Sequence, residues 1–318
     1  MERREFLKKT GQAAALAAVT GGVGYLFHNR QLETYAGVTT LKTDFTVADN
    51  VSLPRIALVR HDDPTYALKS ALDLVGGIGR FIHPGERVTI KPNVGWDRTP
   101  AQAANTNPDL VAEMVRQCLK AGADEVIVTD VSCNDPRRCF IRSGIRDAAR
   151  QAGARVILPT PEDFVQVNLK GRVLSIWPVL KYFVQTDRLI NMPLVKNHSL
   201  SRCTLGMKNL FGILGGRRNQ LHQQIDQSIV DLARYARPTL TVVDATRVLF
   251  RSGPQGGSLD DVAIENSVMC ATDQVAADAR AAEFLGLTGV HVGHITLAAA
   301  AGLGNIDYHA AGYKEIIS

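Results

Sequence analysis

Between residues 55 and 160 the chain repeatedly changes period: short apolar, β-branched runs alternate with stretches whose apolar positions recur every three to four residues. That alternation constrains the fold most, because strands separated by helices lie side by side in parallel while the helices cross over their faces. "RIALVR" (55–60) and "RVTIKPN" (87–93) read as strands flanking a helix in "PTYALKSALDLVGG". "NPDLVAEMVRQCLKAGA" carries its own punctuation. Asn107 suits the cap and Pro108 the first helical position, Leu110, Val111, Met114, Val115 and Leu119 recur at helical spacing, and Gly122 stops the run. "DEVIVTD" (124–130) reads as a buried parallel strand, "CFIRSGIRDAARQAGA" as one helix and "RVILP" as the strand after it. The expectation is an α/β fold, a mainly parallel sheet with helices on both faces.

The second half is less regular. "VQVNL" and "RVLSIWP" flank Lys170 and Gly171 as a hairpin, "TDRLINMPL" contains a strand, and "QIDQSIVDLARYA" is a helix ending just before Pro238. "PTLTVVDAT" and "ENSVMCATD" are core strands, and "QVAADARAAEFLGL" and "HITLAAAAGLG" are helices closed by Gly.

With 318 residues, 45% hydrophobic and 21% charged, the chain can bury a large core. Its net charge of +5 could suggest an acidic partner, but Arg3, Arg4, Lys8 and Lys9 supply part of it. Setting those four aside leaves the body nearly balanced, which gives nucleic-acid binding little support. Cys118, Cys133, Cys139, Cys203 and Cys270 contain no C-x-x-C pair, so no ferredoxin-type cluster or zinc-ribbon pattern is present. Packed free thiols are the expectation, with a Cys133–Cys139 bridge left to geometry.

"MERREFLKKTGQAAALAAVTGGVGYLF" resembles a bacterial twin-arginine export signal, with paired arginines before a mildly apolar Ala/Gly/Val run. The implied partner is the twin-arginine translocation machinery, and the implied location is the periplasm or its membrane face. The expected layout is an export signal or anchor over 1–30, a polar linker over 31–52 and one α/β domain over 53–318.

In open α/β sheets the ligand crevice lies beyond the carboxyl ends of the strands. Lys91, Pro92 and Asn93 end one strand, Asp130 a second, Lys196, Asn197 and His198 a third, Asp244 a fourth and Asp273 a fifth. Helix capping is the alternative role of each Asp. Lys91, Lys196 and Lys208, beside Asn93, Asn197 and Asn209, form a set suited to a carboxylate or phosphate. In "GILGGRR", backbone N–H groups at Gly212, Gly215 and Gly216 could approach an anion, with Arg217 and Arg218 beyond. Neither a Walker loop nor a G-x-G-x-x-G fingerprint occurs.

His198 and His222 are the candidates for acid/base chemistry with Lys208, and Asp130, Asp244 and Asp278 are candidate carboxylate partners or metal ligands. His291 and His294 in "HVGH" lack a completing carboxylate motif, and Cys203 reads as a packed thiol.

Several ordered motifs resemble those of domain-of-unknown-function family 362: "VTIKPNVG", "NPDLVAEMVRQCLKAGADEVIVTD", "DRLINMPLVKNH", "TLGMKNLFGILGG", then His222, "LTVVDAT", "SGPQGG", "QVAADARAAEFLGL" and the closing "GLG". They cover roughly residues 55 to 305. The resemblance implies the α/β fold and this set of motif residues, but no settled activity. Many relatives carry an appended ferredoxin-type cysteine domain, whose pattern does not occur in these 318 residues. Two readings follow. One is an exported enzyme acting on a small anionic molecule with a metal or redox cofactor of unknown identity. The other is a non-catalytic binding or maturation protein that holds a cofactor or anion for a redox partner.

Overall fold

The computed structural model describes residues 44–317. The expected export segment over 1–30 lies outside the described residues. Of the expected linker, residues 44–52 form no helix or continuous strand, yet Phe45 is only 2% exposed. Its N–H donates to the Arg237 carbonyl, and the Thr239 hydroxyl donates to its carbonyl.

The first half contains β1 (Ile56–Arg60), α1 (Pro64–Leu74), β2 (Arg87–Pro92), α2 (Pro108–Lys120), β3 (Glu125–Thr129), α3 (Pro136–Arg142), α4 (Ile145–Gln151) and β4 (Arg155–Ile157). The hairpin β5 (Phe164–Asn168) and β6 (Ile176–Leu180) follows, then β7 (Arg188–Met192), β8 (Leu194–His198), β9 (Arg202–Thr204) and the short helix α5 (Gly206–Asn209). The chain closes with α6 (Ile225–Tyr235), β10 (Leu240–Leu249), β11 (Val262–Ala271), α7 (Gln274–Ala282), α8 (Gly293–Ala300) and β12 (Tyr313–Ile317).

Among the described residues, ten strands form one mixed sheet whose main path runs β12-β1-β11-β10-β7-β2-β3-β4. The run β10-β7-β2-β3-β4 is parallel, whereas β11 is antiparallel to both β1 and β10. Period-two alternation feeds a core on each face. Ile56 and Leu58 of β1 join Val243 and Met269 and pack under α6, α7 and α8. Ala57 and Val59 join Val88, Ile90 and Val242 and pack under α1 and α2. Both faces are therefore covered, as the alternation of periods requires.

Local structure departs from the sequence expectation at three places. The single helix expected after Cys139 is two, because Gly144 takes a left-handed φ of +75° between α3 and α4. The hairpin's second strand starts at Ile176 rather than Arg172, since the Val173 and Leu174 amides donate to the Asp231 carboxylate instead of to a partner strand. Pro193 splits the strand of "RLINMPLVKNH" in two. β7 lies between β10 and β2, whereas β8 stays with β10 and takes β9 on its other side. The sheet thus parts beyond the carboxyl end of β2.

Candidate functional site

A cavity of about 490 Å³ occupies that parting. β2 sends Lys91 to it and the chain beyond adds Asn93 and Trp96, while the turn after β3 adds Asp130 and Cys133. β8 and β9 contribute Lys196, His198 and Thr204, α5 contributes Lys208 and Asn209, and the following turns add Phe211, Gly212, Arg218 and His222. Ligand crevices form at such strand ends because neighbouring connections diverge there.

Two strand-end loops are laced together to form one wall. One Asp130 oxygen accepts the Val94 N–H at 2.7 Å and the other faces the Lys91 ammonium at 2.7 Å. Ser132 donates to the Val94 carbonyl, and the Cys133 N–H donates to Gly95. Lys91 and Lys196 are each only 1% exposed. Lys91 also donates to the Pro92 carbonyl and to Asn209 Oδ1. Lys196 donates to Asn93 Oδ1 at 2.8 Å and to the Ala104 carbonyl at 2.7 Å. Asn93 in turn donates to Asn209 Oδ1, and Asn209 donates to Asn191 Oδ1. The lysines and amides therefore form one polar network in which each amide has a defined orientation.

Lys208 differs from the other two lysines. It is 7% exposed, its ammonium lies 4.4 Å from the centre of the Phe211 ring, and it makes no hydrogen bond or ion pair among the described residues. Burial lowers its pKa to about 8, helped by the nearby Arg218 charge. Burial also lowers Lys196 to about 7, with Lys208 and Lys91 contributing. Arg218 spends its donors on the carbonyls of Val131, Phe211 and Ser132. The lining thus carries four cationic side chains against one carboxylate, Asp130.

The two imidazoles lie roughly parallel with their ring centres 6.2 Å apart. His198 Nδ1 accepts from the Leu200 N–H at 3.1 Å and, more weakly, from the Ser201 N–H. Because backbone N–H groups only donate, Nδ1 carries a lone pair and the neutral ring keeps its proton on Nε2. Burial, reinforced by Lys208 and Lys196, depresses the His198 pKa to about 3, so this ring stays neutral near pH 7. His222 is oriented the other way. Its Nδ1 lies 3.3 Å from the Asn219 carbonyl, to which a neutral ring donates, leaving the Nε2 lone pair free. One ring is thereby set as a donor and the other as an acceptor.

The remaining candidates sit elsewhere and do other work. Asp278 accepts the Gly206 and Met207 N–H groups at 2.6 and 3.0 Å, clamping the start of α5, and burial raises its pKa to about 7. Asp244 accepts the Asn107 and Thr246 amides and the Thr246 hydroxyl. Both hold backbone N–H groups and neither lines the cavity, which leaves Asp130 as the carboxylate there. Gly215 and Gly216 do not line the cavity either. Gly215 donates to Pro178, accepts from the Trp177 indole, and leaves no room for a Cβ against Phe164; a Cβ at Gly216 would press on Pro178. Gly212 does line the cavity. Asn197 lies on the strand edge facing Arg202, His294 is buried beside Asp226, and Cys203 is buried in the core. Cys133 and Cys139 are free thiols.

Cys133, Trp96 and Thr204 line the cavity without having been candidates for the site in the sequence. For Cys133 a signal existed, since it lies three residues past the strand-end Asp130; Trp96 and Thr204 carried none. Among the described residues, no group of three or more His, Cys, Asp or Glu side chains is arranged to hold a metal ion, and no helix is long and apolar enough to cross a membrane.

The family described as "Domain of unknown function (DUF362)" matches residues 88–283. The thylakoid-associated protein sll1697 of Synechocystis is 23% identical over 213 residues, 62% of this chain and 63% of that relative's length. Among solved structures, the lactate racemase apoprotein of Thermoanaerobacterium thermosaccharolyticum superposes with a TM-score of 0.41 at 11% identity, covering 77% of this chain and 62% of that one. A Thermotoga maritima protein solved by a structural genomics consortium gives 0.36 at 12% identity, over 71% of this chain and 60% of that one.

Proposed function

We propose, for a chain that belongs to the DUF362 family, that the cavity binds a small organic anion and performs proton-transfer chemistry on it. The observation that carries this reading is the set of four cations against one carboxylate lining the cavity, with no carboxylate paired to the Lys208 ammonium among the described residues. A buried charge without a partner is costly, and an incoming carboxylate or phosphate supplies the partner. His198 Nε2–H would donate to a developing oxyanion, and His222 Nε2 would take a proton. A cofactor bearing carboxylate or phosphate groups would meet the same cations, which is how the expected cofactor would fit. We further propose that the protein reaches the periplasm through the twin-arginine route. Changing Arg3→Lys together with Arg4→Lys should then leave it in the cytoplasm, as fractionation would reveal; undiminished export would remove this part of the proposal.

The binding reading is tested by titrating small carboxylates and phosphates against the thermal midpoint. Lys208→Ala should weaken the bound anion by on the order of 10- to 100-fold, the scale of one lost charged hydrogen bond, with the ligand-free midpoint changed much less than by a core truncation. Unchanged affinity would sink the site assignment, whereas tight binding with no turnover of any anion would favour the non-catalytic reading.

The pH dependence has two opposed parts. Lys196 and Lys208 titrate at about 7 and about 8 in the folded chain, below the ordinary lysine range. From about pH 7 upward the unfolded chain therefore binds more protons than the folded one, so these groups make ligand-free stability rise with pH. Anion affinity should fall over the same interval as the two ammonium charges are lost. Midpoints with and without anion should converge between about pH 7 and 9.

A further inference from the structure

We propose that Lys208 is a nucleophile that forms an imine with the carbonyl carbon of a 2-oxo carboxylate held in this cavity. The inference deepens the anion-binding reading above and rests on it. Its starting point is the difference between the three lysines. Lys91 has three oxygen partners, one of them the Asp130 carboxylate, which fix its position. Lys196 is immobilised by two acceptors, Asn93 Oδ1 and the Ala104 carbonyl. Lys208 has no acceptor for its protons among the described residues and lies against an aromatic face. Burial of most of the side chain and the nearby Arg218 charge ease the loss of its proton, and its nitrogen, which no acceptor holds, faces the cavity.

The backbone carrying Lys208 is held as a reactive group requires. α5 has only four residues, too short to persist alone, and Asp278 takes two N–H groups from its first turn. A Cβ at Gly206 would lie 2.8 Å from that carboxylate, so the helix start is pressed directly onto Asp278. Arg218 lines the same cavity and supplies a permanent positive charge for the substrate carboxylate.

The step is balanced without an oxidant or reductant. Neutral Lys208 Nζ attacks the carbonyl carbon, forming a C–N bond as the carbonyl π pair moves to oxygen. The two amine protons pass to that oxygen, with His222 Nε2 as relay and His198 Nε2–H stabilising the negative charge while it lasts. The oxygen leaves as water and a C=N bond replaces C=O.

The experiment incubates the full chain with pyruvate or glyoxylate, reduces with borohydride and maps the carboxyalkylated lysines by peptide mass spectrometry. Thermal midpoints with pyruvate and with lactate are measured in parallel. The expected result is an adduct on Lys208 enriched roughly tenfold or more over any other lysine, and absent from Lys208→Arg. Adduct on Lys196, or spread across surface lysines, overturns the proposal. So does stabilisation by both acids with no adduct at Lys208, an outcome that leaves the anion site standing. If neither acid shifts the midpoint, the anion reading fails and the imine, which rests on it, falls with it.

Discussion

Gly212→Ala should lower stability by about 3 kcal/mol or more, measured by urea unfolding, although glycine to alanine is normally a mild change. A Cβ built at Gly212 overlaps Asp130 Oδ1 and lies 2.6 Å from Lys91 Nζ, so the methyl group falls inside a buried ion pair. Neither partner can step aside, because Asp130 also accepts from Val94 and Lys91 is held by Pro92 and Asn209. Separating the pair leaves two charges in an interior that cannot solvate them. Gly79→Ala is the control, since nothing lies within 4 Å of a Cβ there. It should be close to neutral, and equal effects at the two positions would mean that the ion pair is not what Gly212 accommodates. The Gly212 variant should also lose anion binding, because the Gly212 backbone and the ion pair both line the cavity.

Asp130→Asn should cost about 3 to 5 kcal/mol near neutral pH. The amide oxygen can still accept from Val94, so the loss isolates the missing charge opposite Lys91. Burial lowers the Lys91 pKa and Asp130 raises it again; removing Asp130 therefore leaves burial unopposed. The variant should regain stability as pH rises and Lys91 becomes neutral. Combining Asp130→Asn with Lys91→Met should cost less than the sum of the single changes by about 2 kcal/mol, since the orphaned ammonium is then gone. Strict additivity in a denaturant-based cycle would show that the two side chains do not depend on each other.

Much of the fold was legible because its signals are local. Asn107 and Pro108 open α2, and the Asn107 side chain accepts from Asp109 as a cap should. Other features depended on partners remote in sequence. Nothing local announces that Asp231 will capture the Val173 and Leu174 amides and delay β6, or that Gly144 will break a helix whose apolar spacing continues across it. The strand-end rule placed Lys91, Asp130, Lys196 and His198 at one cavity. Asp244, another strand-end candidate, and Asp278, picked out on a small-residue helix, do not line that cavity, because an Asp in either place can cap backbone as well as face a ligand.

By itself, the sequence determined the alternation of strands and helices, the two-faced core and the concentration of basic and amide side chains in the segments that end strands, since periodicity and capping act within a few residues. Only the tertiary structure decided which lysine is paired, which is held by amides and which stands open. Lys91, Lys196 and Lys208 are chemically identical in the sequence, and it is Asp130, Asn93 and Ala104, from 39 to more than 100 residues away, that distinguish them. Charge state and reactivity follow from burial and from partners brought together by the sheet, and those long-range contacts exist only once the chain has folded.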